Sequence, residues 1–240
     1  MPDTAAHLGP RFTHLISDCD GVLIDSEAVA LQALLDLLAP HLQNLPEGVT
    51  LRGLIEPRLG LRLVPLIHDI YTELGLPQLP EEQVLAIGHG VNVRCDEQLS
   101  AVPGVARALA AIDLPKAVAS NSVSERVHAA LTRTGMVDLF GGRYFTPDLV
   151  GHAKPHPGLY LAAAAAFGVP PSQCLVLEDS VTGVTAASAA GMTVLGFIGG
   201  GHIAPGQEAR LKAAGAAHVF SDMATLPELV AEIRGQTRRV

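Results

Sequence analysis

The stretch DCDGVLIDSE at residues 18–27 directly follows a short apolar run, FTHLIS at residues 12–17. The apolar run is typical of a buried strand, and the Asp-Cys-Asp-Gly segment is typical of the turn that ends it. Residues two apart in an extended chain point to the same side, so we expect Asp18 and Asp20 to share one face at the end of this strand.

Two neighbouring carboxylates that are buried without a counter-charge repel each other and lose their hydration. A hard divalent cation such as Mg²⁺ removes that penalty, because it prefers oxygen ligands. The pair therefore predicts a magnesium site. On these residues alone, the alternative that Asp18 caps the turn and Asp20 is solvated stays open.

Short apolar runs recur along the rest of the chain and alternate with helical patterns. The strand-like runs lie at residues 116–119, 174–177 and 193–197, with a weaker one at 218–220. The helical patterns lie at residues 124–134, 157–167, 182–190 and 205–214. This alternation predicts an α/β fold, a Rossmann-like parallel sheet flanked by helices. Gly168 and Gly191 directly follow two of the helical patterns, as expected of glycines that end helices.

Residues 26–99 break the alternation, because helical periodicity recurs there and no good strand separates the helical segments. We therefore predict a helical cap domain at residues 26–99, inserted after the first strand. Residues 10–25 and 100–240 are predicted to form the α/β core, which resumes near Pro103-Gly104. A lid of this kind excludes water from a site and contacts the substrate.

Composition and charge exclude several functional classes. The formal net charge is -8 and the isoelectric point is near 5.6, with no Lys/Arg cluster to form a nucleic-acid-binding face. No apolar stretch reaches the length of about 18 residues that a membrane span needs. The three cysteines are far apart, and the N-terminus does not resemble a signal peptide, which favours a reducing, cytoplasmic location.

Three further polar motifs lie where predicted strands end or a predicted helix begins. Glu178 and Asp179 follow one strand, Ser120 and Asn121 follow another, and Lys154 lies in a Pro-rich loop before a helix. The carboxyl ends of parallel strands meet at one edge of a sheet, where α/β proteins bind ligands. Together the motifs offer carboxylates, a phosphate-binding hydroxyl and a cation. Taken singly, each is equally typical of a helix cap or a surface lysine.

Read in order, DCDGVLIDSE, ASNS, GHAKPHP and LEDSVTGVTAASAAGM resemble the four motifs of the haloacid dehalogenase superfamily. The resemblance covers nearly the whole chain. The helical segment after the first motif is similar to that of the subclass with a helical cap, which includes phosphoglycolate phosphatase and β-phosphoglucomutase. The motifs resemble most the bacterial sugar-phosphate phosphatases of the 6-phosphogluconate type. Asp20 distinguishes the chain from dehalogenases, which have no Asp two residues after the nucleophile.

The resemblance implies a phosphatase that works through an aspartyl-phosphate intermediate. Asp18 would be the nucleophile, and Asp20 would act as general acid and then as general base. The resemblance also implies Mg²⁺ as the cofactor, held by Asp18, the Asp20 backbone carbonyl and Asp179. Glu178 would lie near the metal, either as a direct ligand or as a neighbour of the ligands.

The remaining implied roles concern the substrate, a small phosphorylated metabolite. Ser120, Asn121 and Lys154 would bind its phosphoryl oxygens, where transition-state charge is spread. In the cap segment, Arg52 and Arg58, with Arg62 close by, are candidates for contact with an acidic or polyhydroxylated leaving group. A solvated basic helix face is the alternative for these arginines. We expect a monomer.

A phosphomutase and a non-catalytic sensor are the two alternatives to a phosphatase. Mutases of the β-phosphoglucomutase group carry a His shortly after the first motif and a Ser-Arg pair in the cap. By alignment this chain has Ala30 at the first position and Ile55-Glu56 at the second, which favours a hydrolase. A non-catalytic sensor on the same fold would have lost Asp18, Asp20 or Lys154, and all three are present.

Overall fold

A computed structural model describes residues 12–58, 63–200 and 206–236 of the chain. It contains a six-stranded parallel sheet in the order β3-β2-β1-β4-β5-β6. The strands are β1 His14–Ser17, β2 Lys116–Ala119, β3 Tyr144–Phe145, β4 Cys174–Glu178, β5 Thr193–Phe197 and β6 Ala216–Phe220. The central strands are apolar and almost fully buried because helices cover both faces of a parallel sheet. The predicted α/β fold class is confirmed.

The helices alternate with the strands outside residues 26–99 and follow one another within it. They are α1 Ser26–Leu38, α2 Leu51–Ile55, α3 Leu63–Glu73, α4 Glu81–Gln98, α5 Val105–Ala111, α6 Ser124–Arg133, α7 Val137–Phe140, α8 Pro147–Val150, α9 Gly158–Phe167, α10 Val181–Ala189, α11 Gln207–Ala214 and α12 Leu226–Gln236. None of the described helices is long and apolar enough to cross a membrane.

Helix ends follow the predicted glycine signals. Gly168 ends α9 with φ of 71°, and Gly191 follows α10 with φ of 78°, a conformation that only glycine adopts without strain. The predicted helix at residues 205–214 begins at Gln207 in the described part of the chain. Sequence periodicity did not indicate α5, α12 or the two-residue strand β3.

The chain divides into two compact units. One contains the described residues up to Asp25 and from Ser100 onward, and the other is Ser26–Leu99. The second unit consists of α1 to α4 around a small aliphatic core. Its buried side chains are Leu31, Leu34, Leu38, Leu42, Leu54, Ile55, Leu66, Ile67, Ile70, Tyr71, Val84 and Ile87.

The chain leaves and rejoins the sheet-containing unit at two points that are hydrogen-bonded to each other. Asp25 N donates to Ser100 O at 3.0 Å, and Val102 N donates to Leu23 O at 3.0 Å. Ile24 also forms an antiparallel bridge with Ala101. The two ends of the helical segment are thereby fixed side by side.

Candidate active site

The site lies at the carboxyl edge of the three central strands. Parallel pairing places Ser17 of β1 beside Val118 of β2 and Leu177 of β4. The residues that follow these three positions therefore emerge next to one another. This register explains why motifs more than 100 residues apart in sequence meet at one edge of the sheet.

Lys154 and Asp18 form a buried ion pair. Lys154 Nζ lies 2.5 Å from Asp18 Oδ1 and 2.5 Å from Glu178 Oε1. Lys154 is 6% exposed and Asp18 is 7% exposed, so both charges are removed from water. Such a pair is stable only where further hydrogen bonds satisfy the charges, and Glu178 supplies one of them. The alternative that Lys154 is an ordinary surface lysine is therefore ruled out.

Glu178 is fully buried, and both of its oxygens are occupied. Oε1 accepts from Lys154 Nζ and from Tyr160 Oη at 2.8 Å. Oε2 accepts from Asp179 N, Ser180 N and Ser180 Oγ at 3.0 to 3.1 Å. A carboxylate with this many donors has little capacity left for a metal ion. The geometry gives Glu178 a contact that holds Lys154, and its predicted place at or beside the metal stays a prediction.

Gly183 on α10 leaves the space that the Glu178 carboxylate occupies. An ideal Cβ on Gly183 would lie 1.7 Å from Glu178 Oε1. The same helix begins at Ser180, whose side chain accepts from Gly183 N at 3.0 Å. The N-cap is therefore Ser180 and not Asp179. This separates the capping function from the predicted metal-binding function of Asp179.

Tyr160 contacts both members of the Lys154–Glu178 pair, and sequence reasoning missed it. Lys154 Nζ lies 5.1 Å from the centre of the Tyr160 ring, within the range of a cation–π contact. Burial, and next the Glu178 carboxylate, raises the pKa of Tyr160 well above its ordinary value, so its hydroxyl stays a donor. A buried tyrosine in the otherwise apolar helix GLYLAAAAAF was the available signal, because a buried hydroxyl needs a partner.

Asp18, Glu178 and Asp179 form a buried cluster whose carboxylate oxygens lie within 4.8 Å of one another. Burial raises the pKa of Asp18 well above its ordinary value; Lys154 opposes this effect, and the Glu178 and Asp179 carboxylates add to it. Burial alone lowers the pKa of Lys154, but the Asp18 and Glu178 carboxylates outweigh it and raise that pKa. The lysine is therefore charged, and the cluster carries more negative than positive charge when all groups ionise.

The donor set of this cluster fits a hard divalent cation. Asp18 and Asp179 offer buried carboxylate oxygens, and Mg²⁺ binds through one or two carboxylates together with water or phosphate oxygens. A cation there would also neutralise the excess negative charge. Gln207 Nε2 donates to the Asp179 backbone carbonyl at 2.7 Å and helps to fix this loop.

Ser120 and Asn121 lie in the loop between β2 and α6. Ser120 is 1% exposed, and its Oγ accepts from Ser122 N at 3.0 Å, which leaves its hydroxyl proton able to donate. The Asn121 side chain holds the backbone of Lys154, with Oδ1 accepting from Lys154 N at 2.7 Å and Nδ2 donating to Lys154 O at 3.3 Å. The structure thus gives Asn121 a contact that positions Lys154. Its predicted substrate contact stays a prediction.

Asp20 lies in a tight turn after β1 and contacts two residues that sequence reasoning missed. Its Oδ2 accepts from Ser122 Oγ at 2.8 Å, and its Oδ1 lies 3.4 Å from the Arg126 guanidinium. The Asp20 carboxylate is not part of the cluster formed by Asp18, Glu178 and Asp179. The metal contact expected of its backbone carbonyl stays a prediction.

Arg52 and Arg58 belong to the helical unit and are paired within it. Arg52 forms an exposed ion pair with Glu56 at 3.1 Å. Arg58 binds Asp69 at 2.6 Å, the carboxylate of Glu73, and the Leu54 carbonyl at 2.7 Å, and its side chain is 13% exposed. These contacts make Arg58 a cross-link of the helical unit, whereas Arg52 keeps an exposed guanidinium. Arg62 lies outside the described residues.

Comparisons with known proteins match this architecture. A family model described as haloacid dehalogenase-like hydrolase matches residues 12–191. The 6-phosphogluconate phosphatase of Escherichia coli K12 is 27% identical over 221 residues, which cover 91% of this chain and 95% of that protein. Hexitol phosphatase B of the same organism is 32% identical over 182 residues, 74% of this chain and 79% of that protein.

Two solved structures agree with these matches. A HAD family hydrolase from Deinococcus radiodurans R1, with bound phosphate and sodium, has a TM-score of 0.81 and 32% identity over 93% of this chain and 97% of its own. A haloacid dehalogenase-like protein from Agrobacterium tumefaciens C58 has a TM-score of 0.80 and 33% identity over 92% of this chain and 99% of its own. The predicted family resemblance is confirmed: the chain belongs to the haloacid dehalogenase-like hydrolases.

Proposed function

We propose that this protein is a magnesium-dependent phosphatase that hydrolyses small phosphate monoesters through an aspartyl phosphate on Asp18. The observation that carries the proposal is the buried cluster of Asp18, Glu178 and Asp179 with Lys154 between two of its carboxylates. In this proposal Asp18 is the nucleophile, Asp18 and Asp179 hold the metal, and Lys154 binds the phosphoryl group. The relatives described above, which carry phosphatase names, support the same enzyme class.

Asp18 would attack phosphorus as the ester bond opposite to it breaks. Its Oδ1 is bonded to Lys154, so Oδ2 is the oxygen that geometry leaves for the attack or for the metal. Asp18 and Asp179 would hold the Mg²⁺, together with the Asp20 backbone carbonyl. When bound, Mg²⁺ screens the carboxylates from the anionic substrate and stabilises charge on the transferring phosphoryl group.

Lys154 and Ser120 would bind the phosphoryl oxygens that carry transition-state charge. Both side chains are buried and fixed by neighbours, so they are oriented before the substrate arrives. Glu178, Tyr160 and Asn121 supply this orientation for the lysine. Preorganised donors stabilise the transition state more than flexible ones, since nothing needs to reorganise during the reaction.

Asp20 would transfer protons in both half-reactions. It would protonate the leaving alkoxide in the first and accept a proton from the attacking water in the second. Its carboxylate is partly exposed, with 29% of the side chain accessible, so it can reach a bound leaving group and water.

The substrates that we propose are sugar phosphates and related small metabolites. This class follows from the relatives named 6-phosphogluconate phosphatase and hexitol phosphatase. The acidic net charge of -8 does not favour nucleic acid as a partner. The monomeric state and the cytoplasmic location remain predictions from the sequence.

A substrate panel tests the proposal. We expect Mg²⁺-dependent release of phosphate from p-nitrophenyl phosphate and faster release from one of 6-phosphogluconate, hexitol phosphates, hexose phosphates or phosphoglycolate. Asp18→Asn should abolish turnover, and acid quenching should trap a phosphorylated wild-type chain. Full turnover in excess chelator, or in Asp18→Asn, would contradict the proposal. Isomerisation of β-glucose 1-phosphate with a bisphosphate primer, faster than phosphate release, would indicate a mutase instead.

A further inference from the structure

Backbone hydrogen bonds fix the main chain on both sides of Asp20. Leu23 N and Ile24 N both donate to Cys19 O, at 2.9 and 3.0 Å, and Gly21 N donates to Ile24 O at 2.8 Å. These bonds close the turn that follows β1. None of them restrains the side-chain torsions of Asp20, so the direction of its carboxylate depends on other contacts.

Two residues of the segment after β2 contact the Asp20 side chain, one at each carboxylate oxygen. Ser122 Oγ donates to Oδ2 at 2.8 Å, and the Arg126 guanidinium lies 3.4 Å from Oδ1. Contact on both oxygens fixes the plane of the carboxylate as well as its position. Neither contact is local, because 102 and 106 residues of sequence separate the partners.

The segment that carries these two residues is itself anchored. Ser122 N donates to Ser120 Oγ at 3.0 Å, which links the Asp20 contact to the proposed phosphate-binding hydroxyl. Ser124, at the start of α6, donates through Oγ to Asp148 at 2.6 Å and through N to the same carboxylate at 3.1 Å. Val127, the neighbour of Arg126, is fully buried. The contacts on Asp20 therefore come from a rigid support.

We propose that Ser122 and Arg126 are positioning residues that aim the Asp20 carboxylate at the leaving-group oxygen. This inference rests on the function proposed above, and in particular on the role of Asp20 as proton donor. Ser122 should contribute more than Arg126. Its hydrogen bond is short and half-buried, whereas the arginine contact is long and its side chain is 45% exposed.

Misplacing Asp20 would affect the first half-reaction, in which the ester bond to phosphorus is cleaved. As the bond between Asp18 and phosphorus forms, the bond from phosphorus to the ester oxygen breaks, and that oxygen takes its electron pair and the Asp20 proton. An alkoxide needs this proton, because it is a strong base. A p-nitrophenolate does not, because it is a stable anion. A misaimed Asp20 therefore slows cleavage of an aliphatic ester far more than cleavage of p-nitrophenyl phosphate.

The test compares kcat/KM on these two kinds of ester. This constant includes steps only up to departure of the leaving group, so later hydrolysis of the phosphoenzyme does not enter it. The substrates are p-nitrophenyl phosphate and the aliphatic ester of the panel that wild type cleaves fastest. The variants are Ser122→Ala, Ser122→Thr and Arg126→Gln, with Asp20→Asn as the reference and Thr132→Ala as the matched control. Thr132 offers an exposed hydroxyl of α6 that donates to His128 O of the same helix and does not contact Asp20.

We expect Ser122→Ala to lower kcat/KM for the aliphatic ester by about tenfold or more, and for p-nitrophenyl phosphate by less than about threefold. We call this difference in loss between the two esters the split. Arg126→Gln should show the same split, with a smaller loss of kcat/KM for the aliphatic ester. Ser122→Thr, which keeps the hydroxyl, should restore most of the activity, and Thr132→Ala should lower kcat/KM for neither ester. Two results would overturn the inference, provided that Ser122→Ala has the same Tm as the control variant. One is an equal loss of kcat/KM on both esters, and the other is no loss on either.

Failure of this inference is distinguishable from failure of the proposed function. If wild type cleaves neither ester, the proposed function is wrong. If Asp20→Asn shows the split between esters and Ser122→Ala and Arg126→Gln do not, the proton-donor role of Asp20 holds and the positioning role fails alone.

Discussion

Lys154 Nζ lies 2.5 Å from Asp18 Oδ1, and the ammonium and the carboxylate are both buried. The same nitrogen lies 2.5 Å from Oε1 of Glu178, which is fully buried. Removing the lysine therefore leaves uncompensated negative charge in the protein interior, in addition to removing the cation that would bind phosphate.

We expect Lys154→Met to abolish phosphatase activity and to lower the free energy of unfolding by about 3–5 kcal/mol, because a buried ion pair loses one partner. Urea unfolding monitored by circular dichroism measures the change. Lys212→Met is the control, since Lys212 and Glu208 form an exposed pair one helical turn apart. It should change stability by less than about 1 kcal/mol. Similar stability of the two variants would contradict a structural role for the Lys154 charge.

The raised pKa of Asp18 predicts a pH-dependent effect of Mg²⁺ on stability. Burial is the main cause of the shift, Lys154 opposes it, and Glu178 and Asp179 increase it. A carboxyl whose folded-state pKa is raised stabilises the fold below its ordinary pKa and loses that contribution as the pH rises through the folded pKa. Without metal, stability should therefore fall over this range. Because Mg²⁺ binds the ionised carboxylate, adding Mg²⁺ should restore the lost stability.

The measurement is Tm with chelator and with excess Mg²⁺, from about pH 5 to about pH 8. We expect the Mg²⁺-induced rise in Tm to grow with pH. Asp18→Asn cannot ionise, so its Tm in chelator should equal or exceed that of wild type at the upper end of the range, and its response to Mg²⁺ should be smaller. A Mg²⁺ effect that is independent of pH would argue against ligation by Asp18.

Gly183 predicts a severe effect of a single methyl group. In Gly183→Ala the new Cβ would overlap Glu178 Oε1, and the five donors around Glu178 oppose its displacement. We expect a loss of about 3 kcal/mol or more in stability and a large loss of kcat. Gly235→Ala is the control because Gly235 lies in α12 with no atom near an added Cβ, and alanine favours helix there. Equal tolerance of both substitutions would show that Glu178 can move freely.

Replacing Arg58 should destabilise the helical unit, whereas replacing Arg52 should leave its stability almost unchanged. Arg58→Ala should lower stability by about 2 kcal/mol, because it removes a partly buried link from Asp69 and Glu73 to the Leu54 carbonyl. Arg52→Ala should change stability by less than about 0.5 kcal/mol, because its pair with Glu56 is exposed. If Arg52 binds substrate, its replacement should raise KM on the best panel substrate at unchanged Tm. An unchanged KM would remove it as a candidate.

The buried cysteines predict resistance to thiol reagents. Burial raises the pKa of Cys174 to about 11, and burial together with Asp20 and Asp18 raises the pKa of Cys19 well above its ordinary value. Cys95 is also buried. Because the thiolate is the reactive form, Ellman's reagent should modify none of the three thiols in the native protein and all three in denaturant. Rapid modification of native Cys19 would show that its turn opens.

The sequence predicts the buried strands closely and misses β3 for a physical reason. The runs at residues 116–119 and 193–197 coincide with β2 and β5, because strands buried on both faces read as continuous apolar segments. Tyr144–Phe145 has two residues, too few for such a pattern, and is fixed by pairing with β2. Its identity as a strand is therefore a property of the assembled sheet.

Some residues of the site can be found from local sequence motifs, whereas others are recognised only by their contacts in the folded chain. Asp18, Lys154 and Asp179 can be selected from motifs at strand and helix ends. Ser122 and Arg126 cannot, because their significance lies in contacts with Asp20 across more than 100 residues. Sequence also does not show that Glu178 holds Lys154. That contact becomes visible only in the folded chain, where Glu178 Oε1 accepts from Lys154 Nζ.

The hydrogen bond from Asp25 N to Ser100 O holds the two ends of the inserted helical segment next to each other. Since its two ends already meet at the edge of the sheet, changing its length adds little to the entropy of closing the chain. We therefore expect the fold of the sheet-containing unit to tolerate lengthening, shortening or exchange of Ser26–Leu99 at these two junctions. A protein engineer can use the same pair of junctions to graft one segment for another.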